Sequence, residues 1–202
     1  DGLIRVPAIQ NFNGSDFSVS LPVPGAIRPH IDRFQPDLVH SQHPFLLGDT
    51  ALRVASRRNL PLVYTFHTRY EFYTHYVPLK SDRLRAFVIE LTTRYCNLVD
   101  HVIAPSESIH KLLTERGVTT PVSVTPTGID LEKYRHGNGG RFRKAHGIPE
   151  NCCLAGHVGR LTKEKNCDLL TRVMARVLNA HPDSHFVVVG NGPEKDAMQS
   201  AF

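Results

Sequence analysis

The sequence predicts an α/β protein made of two Rossmann-like units, each a parallel sheet wrapped by helices. Short apolar runs alternate with stretches of helical periodicity along the first 125 residues. A basic, glycine-rich stretch poor in large apolar residues then interrupts the pattern. Beyond it a second strand, turn and helix begin, and alternation of this kind implies parallel strands with helical crossovers. Ligands of such sheets sit beyond the carboxyl ends of the strands.

In chain order, residues 3–9 read as a strand, 11–16 as a polar turn containing Gly14, and 19–23 as an edge strand. A short helix over 26–34 leads into Gln35-Pro36, and a buried strand follows at 37–41. A helix over 48–58, strand 62–66, helix 82–99, strand 101–104, helix 106–116 capped by Ser106 and strand 122–125 complete the first unit. The first domain is placed at residues 1–126. Residues 127–148, with Gly137-Asn138-Gly139-Gly140 among Arg135, Arg141, Arg143 and Lys144, read as a linker. The second domain, 149–202, opens with a buried strand at 152–155 and continues with helix 166–180 and strand 186–189. Its last helix is expected to start at Pro193, which suits a first helical position.

With 41% hydrophobic and 21% charged residues the composition is that of a soluble globular protein. Cys96, Cys152, Cys153 and Cys167 lack CxxC spacing, which argues against a zinc cage or a disulfide framework and for reduced core thiols of a cytoplasmic protein. No apolar run approaches the roughly 20 residues needed to span a bilayer. The chain is expected to open in mid-fold and to stop inside a helix. A net charge of +5 favours anionic partners. No helix-turn-helix spacing, RNP-like motif or dense basic tract supports nucleic acid as the partner. His40 and His43 lie three apart on a strand, hence on opposite faces, so no metal site is expected.

The stretch His157-Val158-Gly159-Arg160-Leu161-Thr162-Lys163-Glu164-Lys165-Asn166 joins a strand to a helix whose apolar positions are Leu169, Leu170, Val173, Val177 and Leu178. Helix N-termini carry unpaired N–H groups and partial positive charge, so Arg160 and Lys165 in that turn form a candidate diphosphate site. Arg can fork onto two oxygens, and Lys acts as a mobile point charge. A solvated basic turn would have the same composition, and these residues alone leave both readings open.

Five motifs in order then carry a resemblance. They are Asp37-Leu38-Val39-His40-Ser41, Thr65-Phe66-His67-Thr68, Ala104-Pro105-Ser106, Pro126-Thr127-Gly128-Ile129-Asp130, and Val158-Gly159-Arg160-Leu161 with Lys165-Asn166 and Val187-Val188-Val189-Gly190-Asn191-Gly192-Pro193. Together they resemble family 4 of the retaining glycosyltransferases, which have the GT-B fold of two Rossmann-like units facing a cleft. The resemblance implies sugar transfer from a nucleotide-sugar, a UDP-sugar first, with no metal cofactor. It implies that Arg160 and Lys165 neutralise the donor diphosphate and that His67 faces the donor sugar. Gly159, Gly190, Gly192, Gly128 and Thr68 are the implied donor-side positions. The family often has a second histidine two positions after that at His40, where this chain has Gln42. It also implies a first strand and glycine-rich loop before Asp1, and paired glutamates after Phe202, so the 202 residues alone are expected to be poorly active.

The run Thr65-Phe66-His67-Thr68-Arg69-Tyr70-Glu71-Phe72-Tyr73-Thr74-His75-Tyr76-Val77-Pro78 is similar to one in the family's diacylglycerol glucosyltransferases. Tyr70, Phe72, Tyr73 and Tyr76 suit a membrane interface, and Lys80, Arg83 and Arg85 would meet anionic headgroups there. The expectation is a peripheral enzyme on the inner face of a membrane with a lipid acceptor. A helix packed on the sheet through Leu84, Phe87, Val88, Leu91 and Leu98 is the plainer reading of the same stretch. A soluble acceptor, or a module that binds nucleotide-sugar without catalysis, remains as an alternative.

Overall fold

Parallel strands require crossovers of a dozen or more residues, and this chain supplies a helix for each. The computed structural model describes residues 2–10, 18–22, 24–74 and 81–202, with only the backbone of Pro24. The turn expected at 11–16, Val23, and residues 75–80 with Tyr76 and Lys80 lie outside the described residues. Two units divide at Gly128 and Ile129.

In the first unit β3 (Val39–Ser41), β4 (Leu62–Thr65), β5 (His101–Ala104) and β6 (Val122–Val124) form a parallel sheet in that order. Helices α2 (Leu47–Arg58), α3 (Asp82–Cys96) and α4 (Glu107–Glu115) connect them. α3 and α4 start where a serine precedes an apolar pattern: Ser81 accepts from the Leu84 N–H and Ser106 from the Ile109 N–H. Tyr64, Phe66, Cys96, Val102, Ala104 and Leu113 form the buried centre. Tyr64 stands edge-on to Tyr95, with ring centroids 5.0 Å apart. Burial pushes the Tyr64, Tyr95 and Cys96 pKa values up.

The amino-terminal segment departs from expectation. Of residues 3–9 only β1 (Ala8–Ile9) is a strand, and it pairs antiparallel with β2 (Val19–Ser20). Leu3 and Ile4 are exposed, since apolar character without a partner strand or a covering face does not make a strand. Helix α1 spans Pro24–Phe34.

In the second unit the stretch expected as linker holds two short helices, α5 (Leu131–Arg135) and α6 (Gly139–Ala145). They are capped by Asp130 and Asn138, which accept from the Lys133 and Arg141 N–H groups. Strand β7 runs Cys153–Val158, beginning and ending later than the 152–155 expectation, and pairs in parallel with β8 (Ser184–Val189). The strand is not buried throughout: Cys153 is exposed and Cys152 half-buried, whereas Cys96 and Cys167 are buried. α7 (Cys167–Ala180) buries Cys167 and Met174 and leaves Leu169, Val173 and Val177 exposed. Only part of its apolar set therefore faces the sheet. The final helix α8 (Lys195–Gln199) starts two residues after Pro193, which sits in the turn.

Among the described residues, no helix is long and apolar enough to cross a membrane. Among them too, no group of three His, Cys, Asp or Glu residues could hold a metal ion.

Candidate active site

In the first unit, register aligns Ser41 of β3 with Tyr64 of β4, so the residues just past both strands share one sheet edge. The Tyr95 hydroxyl lies 2.8 Å from Ser41 Oγ, which in turn donates to the His43 carbonyl at 2.9 Å. This fixes the end of β3 from inside the core. On β4, Phe66 is 1% exposed and its N–H reaches the Ile103 carbonyl at 2.9 Å, so His67 emerges from an anchored neighbour.

Four polar side chains meet at this edge. His40 Nε2 is 2.7 Å from Thr65 Oγ1, and the Gln42 amide nitrogen is 2.9 Å from His40 Nε2. The Gln42 amide oxygen accepts a hydrogen bond from His67 Nε2. His67 is exposed, while Thr68 is half-buried and hydrogen-bonded to Tyr70. Nothing in the sequence singled out Thr65 or the Gln42 bridge, although the departure from a second histidine marked position 42.

The following segment, a turn of 3-10 helix at Tyr70–Phe72, is fastened by Glu71, which is 2% exposed. Its Oε1 accepts from Arg69 Nε at 2.9 Å and from Arg116 at 2.6 Å. Burial alone would raise the Glu71 pKa, but hydrogen bonds from Arg116, its own backbone N–H and Arg69 outweigh it and hold the carboxyl below its ordinary value. Tyr70 is half-buried: its ring packs edge-on to His43 at 5.2 Å and Phe45 at 5.0 Å, and burial raises its pKa to about 12. Burial lowers the His43 pKa against an opposing hydrogen bond to the Phe45 carbonyl. Tyr73 is half-buried. Phe72 is exposed, with the guanidinium of Arg69 4.4 Å and that of Arg85 5.1 Å from its ring centroid. Arg83 is also exposed, and Phe87 and Leu91 of α3 add exposed apolar area.

In the second unit, the loop after β7 is bound to the loop after β8. Gly159 N–H donates to Val189 O at 3.0 Å, and Leu161 N–H to Asn191 O at 2.9 Å. A Cβ at Gly190 would stand 1.8 Å from the Gly159 carbonyl, and one at Gly192 2.3 Å from the Leu161 carbonyl. The chain itself thus requires these two glycines. Gly159 and Gly128 differ: a Cβ at Gly159 meets only the His157 ring at 3.5 Å, and one at Gly128 meets nothing within 4 Å.

The loop continues into a 3-10 turn, Lys163–Lys165, and then Asn166 in the left-handed conformation. Asn166 makes no side-chain cap for α7, so the helix offers its first N–H groups at a turn carrying Arg160, Lys163 and Lys165. Glu164 lies 3.5 Å from Arg160, so the turn is less cationic than its basic residues alone suggest. Lys165 is exposed. Thr162, whose carbonyl accepts from the Lys165 N–H at 3.1 Å, is fully buried, with no hydrogen-bond partner for its hydroxyl among the described residues.

The chain has the GT-B fold, with a parallel sheet in each of its two units, and solved structures share this fold. Sucrose-phosphate synthase of Thermosynechococcus elongatus matches with TM-score 0.66 at 17% identity, over 88% of this chain and 45% of that one. The Anabaena protein Alr3699/HepE, solved in complex with UDP and glucose, matches with TM-score 0.62 at 20% identity, over 89% and 49%.

Residues 1–133 match Glycosyltransferase Family 4 and residues 140–201 match Glycosyl transferases group 1, so the chain belongs to glycosyltransferase family 4. The alpha-monoglucosyldiacylglycerol synthase of Streptococcus pneumoniae is 30% identical over 95% of this chain and 44% of its own length. That of Acholeplasma laidlawii is 27% identical over 80% and 43%. The D-inositol 3-phosphate glycosyltransferase of Kribbella flavida is 32% identical over 81% and 39%. The chain spans less than half the length of each of these relatives.

Proposed function

We propose that the protein transfers a sugar from a nucleotide-sugar, a UDP-sugar, to a membrane lipid such as diacylglycerol, with retention at the anomeric carbon. The observation that carries the donor half is the uncapped start of α7 beside Arg160 and Lys165. As the bond from the anomeric carbon to the diphosphate breaks, its electrons pass to the diphosphate. Arg160, Lys165 and the α7 N–H groups lower the energy of the charge that grows there. Gly159 supports close approach, because nothing within the chain requires a glycine at that position. His67 orients the sugar from the end of β4, and the acceptor hydroxyl forms the new bond to the anomeric carbon. No metal cofactor is part of this scheme.

The lipid acceptor is supported by the two relatives that are alpha-monoglucosyldiacylglycerol synthases and by the exposed Phe72 ring with the Arg69 and Arg85 guanidinium groups over it and the exposed Arg83 two residues before Arg85. Cations beside an exposed aromatic suit the cytoplasmic, anionic face of a membrane. The inositol phosphate relative favours a soluble acceptor as the second reading. The test is a matrix of radiolabelled UDP-, GDP- and ADP-sugars against diacylglycerol in vesicles and soluble polyols, using the full-length protein. Label in the organic phase with UDP-sugar alone supports the first reading, label confined to polyols supports the second, and no transfer in any cell of the matrix overturns both.

A further inference from the structure

We infer that Gln42 is a positioning residue: its amide ties His67 to His40 and fixes which ring nitrogen of His67 is offered to a ligand. The catalytic meaning rests on the proposal that His67 faces the donor sugar, but the geometry stands without it.

A carbonyl oxygen carries no proton and an amide nitrogen carries no free lone pair, so a glutamine side chain has a donating end and an accepting end. Its accepting end meets His67 Nε2, which must therefore carry the proton. Nδ1 is left as the nitrogen of neutral His67 that can accept from a hydroxyl. The donating end reaches His40 Nδ1 at 3.2 Å, which leaves His40 Nε2 free to donate to Thr65 Oγ1 at 2.7 Å. Thr65 is 7% exposed, so the far end of the chain of bonds is rooted in the core. The near end is equally fixed, because Ser41, just before Gln42, is 5% exposed and bonded to Tyr95.

The residue type matters as much as the place. A histidine at position 42 could reverse donor and acceptor by changing tautomer or by taking up a proton, whereas glutamine does neither. Holding one tautomer avoids the penalty of selecting it at each turnover, which is the usual service of an outer hydrogen-bond partner to a functional histidine.

The experiment is long-range proton–nitrogen NMR of the 15N-histidine-labelled chain, above the pH at which histidines are charged. Wild type is expected to show His67 as the Nε2–H tautomer, Gln42→Met a mixture of tautomers, and Gln42→Glu, which keeps an accepting oxygen, the Nε2–H form again. Unchanged methyl shifts of Val102 and Leu113 certify the fold in each variant. An Nδ1–H tautomer in wild type, or a His67 spectrum unaltered in Gln42→Met, overturns the inference. Failure of the donor-sugar reading is separable, because it would leave these spectra as expected while His67→Ala kept normal turnover in the full-length protein.

Discussion

Arg116, just past the end of α4, donates to Glu71 Oε1 at 2.6 Å across 45 residues of sequence. The contact holds the segment after His67 against the end of α4. Removing one partner of a buried ion pair strands the other in low dielectric, at a cost of about 3 to 5 kcal/mol. Glu71→Ala is expected to destabilise the first unit by about 3 kcal/mol, toward the lower end because Arg69 is partly exposed. Because the folded carboxyl titrates below its ordinary value, the contribution of Glu71 is complete above about pH 5 and is lost as pH falls through the folded pKa. Urea melts of wild type and Glu71→Gln between pH 3 and 8 check this: the gap between them should be constant at neutral pH and shrink in acid.

Arg160→Ala and Lys165→Ala are each expected to raise the barrier of the full-length enzyme by about 2 to 4 kcal/mol, the usual cost of losing one group that stabilises developing charge. Both side chains are exposed, so melting temperatures should barely move. Steady-state kinetics with wild-type values in both variants would remove the diphosphate assignment.

His67→Ala should lower turnover more than it weakens nucleotide diphosphate binding, since His67 is placed toward the sugar. Calorimetric titration of UDP beside single-turnover rates gives the ratio. A collapse of UDP binding with normal turnover per bound donor would show that the histidine serves the phosphates.

The glycines of the second unit separate structural need from ligand approach. Gly190→Ala and Gly192→Ala force a methyl into backbone carbonyls and should cost about 2 to 3 kcal/mol or more of stability. Gly159→Ala meets only ordinary contacts and should leave stability within about 0.5 kcal/mol. If Gly159 is close to the donor, the same methyl raises the donor KM. Thermal melts and donor kinetics on the three variants decide it.

Vesicle binding is expected to be tighter on anionic than on neutral lipid and to weaken with salt. Arg83 and Arg85 contribute about 1 kcal/mol each near such a surface, with the exposed Phe72 ring inserted beside Arg85. Arg83→Glu with Arg85→Glu should release the protein while donor hydrolysis persists. Co-sedimentation that is equal on both lipids would favour the soluble acceptor.

Local signals were the most legible. β5 occupies the expected residues 101–104, and Ser106 caps α4, because each depends on a run of a few neighbours. The strand expected at 3–9 shrank to two residues because strand formation depends on a partner that no local window shows. β7 extends past Ala155 because Gly156 and His157, unremarkable as strand formers, pair with Val187 and Val188. In the site, single positions such as His67 and Arg160 were visible from their motifs. The Gln42 bridge and the Glu71–Arg116 pair were not, since each joins residues 25 or more apart through the register of the sheet. Likewise the contacts of the half-buried Tyr70 ring with His43 and Phe45 join residues that no local window of sequence brings together.

The adjacent thiols at the start of β7 give the second unit a chemical handle. Cys153 is exposed and Cys152 half-buried, while Cys96 and Cys167 are sealed in the cores of the first and second units. A maleimide dye added to the native chain should therefore mark the second unit alone. At about 3.3 Å per strand residue the dye would sit roughly 17 Å from the far end of β7, where the Arg160 loop begins. Fluorescence from that position can follow nucleotide titrations without occupying the loop, and no engineered cysteine is needed.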